Sequence, residues 1–283
     1  MLCGRFCIAR TSGSRGNSHN LSTSERKNEQ VEPIGVITEA WWWATKLWLT
    51  TNNIPSIIKI IETRAANMKE YDGWNLPDFI RAATELEEEG VAAITTNCGL
   101  TAIIQEELAD AVDTPVFTSS LLQVPLIHRM LRKGKKIGIL TWDRQRCIDN
   151  DYKLLRCAGI GKSISIAIEG MQDSKEFAKV ITNGGYGDYK KCENELVAKA
   201  KLLISKNPNI GAIVLECTEM PIFGLAIHEA TGLPVFDHHT LVWWVYNSIA
   251  KKKYYLSSCE LLKRMIKNTE YGFNLTGARA LKT

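Results

Sequence analysis

The sequence lacks the features that define membrane, disulfide-rich, metal-binding and nucleotide-binding proteins. No apolar run among its 283 residues approaches the roughly 18 that a membrane span needs. Its eight cysteines include no Cys-x-x-Cys pair and no zinc-like His spacing, so we expect reduced thiols and no metal. No Gly-x-Gly-x-x-Gly follows a strand, which disfavours an NAD-dependent enzyme. We therefore expect neither a cofactor nor a membrane partner.

Charge gives no reason to expect a nucleic-acid partner either. The net charge is +4, and residues 1–30 alone carry +3, with five basic and two acidic side chains. The remaining residues are close to neutral, so they offer no electrostatic surface for a polyanion. Residues 1–31 are rich in Ser, Asn and Arg and are predicted to be a disordered tail. The tail has no apolar core of a secretion signal, so we predict a cytoplasmic protein, with organellar import through this tail as the alternative.

Two apolar stretches end in a cysteine. Residues 90–99 read Gly-Val-Ala-Ala-Ile-Thr-Thr-Asn-Cys-Gly, and residues 211–221 read Gly-Ala-Ile-Val-Leu-Glu-Cys-Thr-Glu-Met-Pro. Each begins with the length and β-branching of a buried strand and is followed by helical spacing. A Pro-Val-Phe strand then begins 17 residues after Cys98, and another begins 17 residues after Cys217. Upstream, Ile-Gly-Val-Ile-Thr at 34–38 matches Ile-Gly-Ile-Leu-Thr at 137–141.

These matched strands predict two copies of one βαβ-type unit. The predicted fold is α/β, with two pseudo-symmetric doubly wound parallel-sheet domains and the active site in the cleft between them. We predict that residues 32–133 and 240–283 form the first domain and that residues 134–239 form the second. Residues 54–72 give a mixed signal, helical or irregular. Trp41-Trp42-Trp43 cannot share one helix face, so this cluster either joins the core or caps the pocket.

Each copy places one cysteine at the carboxyl end of a strand, where parallel α/β sheets bind ligands. If the two domains pack with these ends together, Cys98 and Cys217 face each other across the cleft. One thiolate can then remove a proton from a carbon while the other thiol protonates the opposite face. Two neighbouring thiolates repel, which favours one proton shared between two sites. The pattern predicts two catalytic cysteines that need no cofactor.

Three stretches resemble the aspartate/glutamate racemase family: Ala-Ile-Thr-Thr-Asn-Cys98-Gly, Pro-Val-Phe-Thr-Ser-Ser-Leu-Leu-Gln-Val-Pro and Ile-Val-Leu-Glu-Cys217-Thr-Glu-Met-Pro. The resemblance covers about residues 75–245 and implies a cofactor-independent amino-acid racemase, an isomerase, with the two cysteines as acid and base. It implies a small carboxylate or amino-acid-like substrate and leaves a homodimer open. The predicted substrate-binding residues are polar groups beside the strand ends, together with one glycine: Thr38, Asn97, Gly99, Thr118, Ser119, Thr141, Thr218 and Glu219.

Several alternatives stay open from the sequence. The Asn-Cys-Gly motif is similar to that of the broader hydantoin-racemase-like branch, so the substrate class is aspartate/glutamate-type or hydantoin-like. A distal carboxylate would need a basic partner. No basic residue lies at an obvious strand end, and the candidates are Lys46, Arg64, Arg144 and Lys162. Another reading is a maleate isomerase or decarboxylase of the same superfamily. A third is a non-catalytic two-lobed protein that binds a small molecule, in which either cysteine could become serine without loss.

Overall fold

The computed structural model describes residues 32–39, 44–61, 76–183 and 186–251, without the side chains of residues 39 and 44–47. The tail of residues 1–31, the tryptophans at 41–43, Arg64 and the chain beyond residue 251 lie outside these ranges, so expectations about them stay predictions. Within the described ranges no helix is long and apolar enough to cross a membrane. The same ranges contain no group of three or more side chains that could hold a metal ion.

The first half of the chain forms a parallel sheet of four strands in the order β2-β1-β3-β4. Its strands are β1 (Ile34–Glu39), β2 (Ser56–Ile61), β3 (Ala93–Thr96) and β4 (Val116–Phe117). Its helices are α1 (Ala44–Thr51), α2 (Leu76–Glu88), α3 (Gln105–Ala111) and α4 (Val124–Met130). Two 3-10 turns, Gly99–Ile104 and Ser120–Gln123, directly precede α3 and α4.

The second half repeats this arrangement in the order β6-β5-β7-β8, again with all strands parallel. Its strands are β5 (Lys136–Thr141), β6 (Ile166–Gly170), β7 (Ile210–Leu215) and β8 (Val235–Phe236). Its helices are α5 (Arg144–Cys157), α6 (Glu176–Thr182), α7 (Tyr189–Lys206), α8 (Gly224–Thr231) and α9 (His238–Ile249). The predicted pair of parallel α/β units is confirmed, because equivalent strands occupy equivalent positions in the two sheets.

The matching glycines of the two Ile-Gly strands explain part of the repeat. Gly35 in β1 and Gly138 in β5 both let a leucine of the covering helix touch the strand backbone. A Cβ at Gly35 would lie 3.0 Å from Leu86 Cδ1, and one at Gly138 would lie 2.8 Å from Leu203 Cδ2. Each glycine therefore permits the close helix–sheet packing that buries both leucines completely.

Residues 54–72 differ from the expectation of a helix or irregular segment. Their described part contains β2, which pairs in parallel with β1 along its whole length. The run Ser-Ile-Ile-Lys-Ile-Ile carries no clean alternation because its strand lies at the sheet edge, with four of its six residues half-buried. Ile57 and Ile61 pack into the apolar cluster that contains the buried face of α2, whereas Ile60 is 66% exposed.

The two sheets meet at the carboxyl ends of their central strands. The Ser120 hydroxyl, in the first half, donates to the Leu215 carbonyl at the end of β7 at 2.7 Å. The Thr218 hydroxyl, in the second half, donates to the Asn97 carbonyl just beyond β3. These two bonds hold the segments that carry the two cysteines against each other. Helix α9 packs beside β1 in one apolar cluster, and the predicted domain boundaries stay a prediction.

Candidate active site

A small cavity at this junction is lined by residues from both halves of the chain. The lining residues follow β3, β5 and β7, with one further residue from α6: Asn97, Cys98, Gly99, Leu100, Trp142, Ile181, Glu216, Cys217 and Thr218. The structure therefore brings the two sequence-predicted cysteines to one cavity, in the position that the repeat predicts. None of the described residues that line it is Arg or Lys.

Cys98 lies where β3 passes into the 3-10 turn Gly99–Ile104. Its backbone is extended (φ −138°, ψ 123°), and its carbonyl accepts the Thr101 backbone N–H at 3.1 Å. The Thr101 hydroxyl donates to the same carbonyl and also contacts the Thr96 hydroxyl. This pair of threonines, both buried, fixes the sharp turn that leaves the Cys98 side chain half-buried beside the cavity.

Cys217 occupies the equivalent position after β7, and its surroundings are acidic. Burial, followed by the nearby Glu216 carboxyl, raises the pKa of the Cys217 thiol well above its usual value. The Glu219 backbone N–H donates to this thiol and acts in the opposite direction. Cys98 lines the same cavity and adds a further, smaller rise to the pKa of Cys217. At neutral pH Cys217 is therefore a thiol in the free protein.

Glu216 is a functional candidate that sequence reasoning missed. The residue is 2% exposed, and its Oε2 accepts the Thr141 hydroxyl at 2.8 Å. Burial raises the pKa of this carboxyl, while the Thr141 hydroxyl and the Trp142 backbone N–H act in the opposite direction. The sequence does carry a signal for this residue, because an acidic residue directly follows the apolar run Gly-Ala-Ile-Val-Leu of a buried strand.

Gly99 is required by the close approach of Glu216 from the other half. A Cβ at position 99 would lie 2.9 Å from the Glu216 carbonyl carbon and closer still to its carbonyl oxygen and to Oε1. Because real Cβ atoms do not come this near to a backbone, only glycine allows the two loops to pack at this distance. Gly99 acts here by its lack of a side chain.

The predicted site residues divide into two groups. Asn97, Cys98, Gly99, Cys217 and Thr218 line the cavity. The other five are buried around it without lining it: Thr38, Thr118, Ser119, Thr141 and Glu219. Their predicted part in substrate binding remains a prediction.

Most of the second group have structural partners. The Thr118 backbone N–H and hydroxyl both donate to Gln105 Oε1, at 2.9 and 2.8 Å. The Ser119 hydroxyl accepts the Leu121 backbone N–H at 3.2 Å and so caps the second 3-10 turn. Burial raises the pKa of Glu219 to about 7. These contacts make Thr118 and Ser119 supports of the loops that shape the cavity.

Two of the four basic residues proposed to hold a distal carboxylate lie away from the cavity lining. Arg144 Nε donates to the Ile168 carbonyl at 3.2 Å, beside the edge strand β6, and Lys162 is exposed. The Lys46 side chain and Arg64 lie outside the described residues. One carboxyl, two thiols and an indole are among the described lining residues, and none of them is a cation that would pair with a distal carboxylate.

The fold is that of solved structures in the aspartate/glutamate racemase superfamily. An aspartate racemase homologue from Pyrococcus horikoshii OT3 matches with a TM-score of 0.52 and 18% identity, covering 78% of this chain and 100% of that one. Unliganded arylmalonate decarboxylase matches with a TM-score of 0.54 and 15% identity, covering 78% and 94%. The predicted resemblance is thus confirmed for the fold, and such low identities say nothing further about activity. No protein-family model matches the sequence.

The curated proteins similar in sequence carry a different name. A dimethylsulfoniopropionate lyase from Durusdinium sp. clade D is 32% identical over 152 residues, covering 53% of this chain and 50% of that protein. Dimethylsulfoniopropionate lyase 7 from Emiliania huxleyi (strain CCMP1516) is 32% identical over 164 residues, covering 56% and 48%. The chain spans about half the length of the curated relatives it matches.

These relatives overturn the predicted activity. The expected amino-acid racemase, and with it the isomerase class, is wrong, because the matching curated proteins are named lyases. Of the alternatives, a decarboxylase of the same superfamily, which is itself a lyase, is better supported. The physical reason is that a two-thiol cavity which can remove a proton need not return it, and fold similarity does not distinguish the two outcomes.

Proposed function

We propose that this chain is a lyase that cleaves dimethylsulfoniopropionate, or a closely similar β-sulfonio carboxylate, into dimethyl sulfide and acrylate. The observation that carries the proposal is the 32% identity to a dimethylsulfoniopropionate lyase over 152 residues, 53% of this chain. The cavity between Cys98 and Cys217 supplies suitable chemistry. Because the chain spans about half the length of these relatives, the activity is proposed for it and rests on the test below.

The reaction needs a single base. A thiolate removes a proton from the carbon next to the carboxylate, and the electron pair of that C–H bond forms the new carbon–carbon double bond. The bond from the β-carbon to sulfur breaks, and its electrons neutralise the sulfonium to give dimethyl sulfide. The thiol later releases the proton to solvent, so atoms and charge balance without a cofactor. No proton returns to the carbon, which is why two opposed acid–base groups are unnecessary.

We assign the base to Cys217. Burial raises the pKa of this thiol, so the thiolate is a strong base once it forms, as the weakly acidic α-proton requires. A bound sulfonium brings a positive charge into the cavity, and a nearby opposite charge favours the thiolate. The Glu219 backbone N–H donates to the same sulfur and stabilises its charge further. Substrate binding would thus help to ionise the base.

The cavity walls fit the two ends of such a zwitterion. Trp142 offers an indole face, and its ring centroid lies 6.0 Å from that of Phe177, which is fully buried behind it. A cation over an indole gains about 0.5–2 kcal/mol. Asn97, another of the lining residues, carries amide N–H groups of the kind that donate to carboxylates. The absence of Arg and Lys among the described lining residues leaves the cationic end without a repelling neighbour.

Purified protein incubated with dimethylsulfoniopropionate tests the proposal. Acrylate is followed by proton NMR and dimethyl sulfide by headspace gas chromatography. We expect both products in equal amounts from the wild type. Cys217→Ser should lower kcat by about 100-fold or more, the usual contribution of a positioned acid–base group.

Two further variants control for the loss of a thiol as such. Cys98→Ser should lose less activity than Cys217→Ser, because Cys98 shapes the cavity without taking the proton. Cys157→Ser changes a half-buried thiol on α5, away from the cavity, and should match the wild type. Absence of both products from the wild type refutes the lyase. Wild-type rates in Cys217→Ser refute the assignment of the base.

A further inference from the structure

Glu216 is the buried titratable group that the proposed reaction does not yet use. It directly precedes Cys217, lines the same cavity and is 2% exposed. A carboxyl in such a place costs free energy unless its polar atoms are satisfied. Because Glu216 directly precedes the proposed base, a part in the reaction would account for a carboxyl buried at this place.

The two carboxyl oxygens of Glu216 have different surroundings. Oε2 accepts the Thr141 hydroxyl at 2.8 Å, and the Trp142 backbone N–H also donates to the carboxyl. Oε1 lies on the side of Gly99, so close that a Cβ at position 99 would overlap it. Oε2 therefore accepts a hydrogen bond from the Thr141 hydroxyl at the end of β5. Oε1 is directed towards the Cys98–Gly99 wall of the cavity.

Burial, rather than the charges around it, favours the neutral form of Glu216. Arg146 and Asp143 are the charged groups that affect the pKa of Glu216. Glu216 in turn raises the pKa of the Cys147 and Cys217 thiols. Burial outweighs the opposing effect of Arg146, and Asp143 adds to it, so the pKa of Glu216 is raised. A thiolate at Cys217 would further disfavour a second negative charge next to it. Both effects favour a protonated Glu216, which can donate a hydrogen bond, while the base is ionised.

We propose that Glu216 is a further catalytic residue that, as an un-ionised carboxylic acid, donates a hydrogen bond from Oε1 to the substrate carboxylate. The bond strengthens as negative charge builds on that carboxylate while the α-proton leaves. No proton passes from Glu216, and the α-proton still goes to Cys217. This inference rests on the proposed elimination. It adds the group that stabilises the enolate-like charge in a cavity without a cationic side chain among its described residues.

Glutamine at position 216 is the informative substitution. The Thr141 hydroxyl donates to Oε2, so it orients the amide oxygen of a glutamine towards itself. The amide N–H groups then point where Oε1 lies. Glu216→Gln keeps a neutral donor of the same shape, whereas Glu216→Leu keeps approximate volume and removes the donor.

We expect Glu216→Gln to retain kcat/KM within about tenfold of the wild type and Glu216→Leu to lose about 100-fold or more, the usual effect of removing one donor to a developing oxyanion. Glu169→Gln is the matched control, since that carboxyl pairs with Lys206 away from the cavity. It should leave kcat/KM unchanged. Inactivity of Glu216→Gln at wild-type stability would overturn the inference, because it would mean that the residue works as a carboxylate.

A binding arm separates this inference from the proposed activity. Propionate, which cannot be eliminated, is titrated calorimetrically into each variant. We expect the wild type and Glu216→Gln to bind it with similar affinity and Glu216→Leu to bind at least about tenfold more weakly. If the wild type binds propionate in this pattern without cleaving the sulfonium substrate, the lyase proposal fails alone. Equal affinity in all three proteins, or none in the wild type, refutes the role of Glu216.

Discussion

Replacing Gly99 with alanine tests the close approach that forms the cavity. The new Cβ would lie 2.9 Å from the Glu216 carbonyl carbon and nearer to two oxygens of the same residue. Carbon atoms in contact are normally about 3.5–4.0 Å apart, so the two loops must separate by roughly 1 Å. The obstacle is largely backbone, which cannot rotate away as a flexible side chain would. The separation would also stretch the bond from the Thr218 hydroxyl to the Asn97 carbonyl.

Overpacking of this kind costs about 3 kcal/mol, the upper part of the usual range. For a protein of this size we therefore expect Gly99→Ala to lower the melting temperature by about 6–12 °C. It should also lower lyase activity, because the wall that carries Cys98 moves. Differential scanning calorimetry measures the first effect and dimethyl sulfide release the second.

Gly161→Ala is the control for this prediction. Position 161 has ordinary backbone torsions, and a Cβ there would meet nothing within 4 Å. It should stay within about 1 kcal/mol of the wild type in either direction. If Gly99→Ala has the same melting temperature as Gly161→Ala and the wild type, the two loops are not packed as described.

Two further predictions follow from the surroundings of the cavity. Burial raises the pKa of Glu219 from 4.5 to about 7, so between these values the unfolded chain has lost a proton that the folded protein keeps. The free energy of unfolding therefore falls as pH rises through this window. In urea unfolding, Glu219→Gln should be more stable than the wild type by up to about 3 kcal/mol above pH 7 and by little below pH 4.5. A gain in stability that is the same at all pH values contradicts this prediction. Trp142→Leu should raise KM for dimethylsulfoniopropionate by about tenfold but hardly change inhibition by 4-methylpentanoate, its neutral isostere. Equal weakening of both ligands would show that the indole contributes packing alone.

The repeat predicted the fold because its signals are local. A buried parallel strand is a short apolar run, and the Ile-Gly strands with their later Pro-Val-Phe partners occur twice in the same order. The close packing of a helix on Gly35 and Gly138 could not be predicted from the sequence, because a glycine in a strand has several explanations. The strand β2 was missed for a related reason, because an edge strand has neither full burial nor clean alternation.

The cysteine pair was predictable, whereas Glu216 and the reaction were not. The sequence shows a cysteine at the end of each repeated strand, and parallel α/β sheets bind ligands at these strand ends. The burial of Glu216 depends on Gly99 from the other half of the chain, which no local pattern records. The choice between returning a proton and expelling a leaving group depends on the ligand, so a racemase-like fold led to the wrong activity.

The central claim is that this cavity removes the proton next to a carboxylate and expels a sulfide. The most direct test lets the wild-type protein compete for a mixture of ordinary dimethylsulfoniopropionate and the same compound deuterated at the α-carbon. The isotope content of the acrylate is then measured by mass spectrometry. We expect the deuterated molecules to react several-fold more slowly, because a C–D bond must break at Cys217. Equal consumption of the two, or no acrylate at all, would contradict the account.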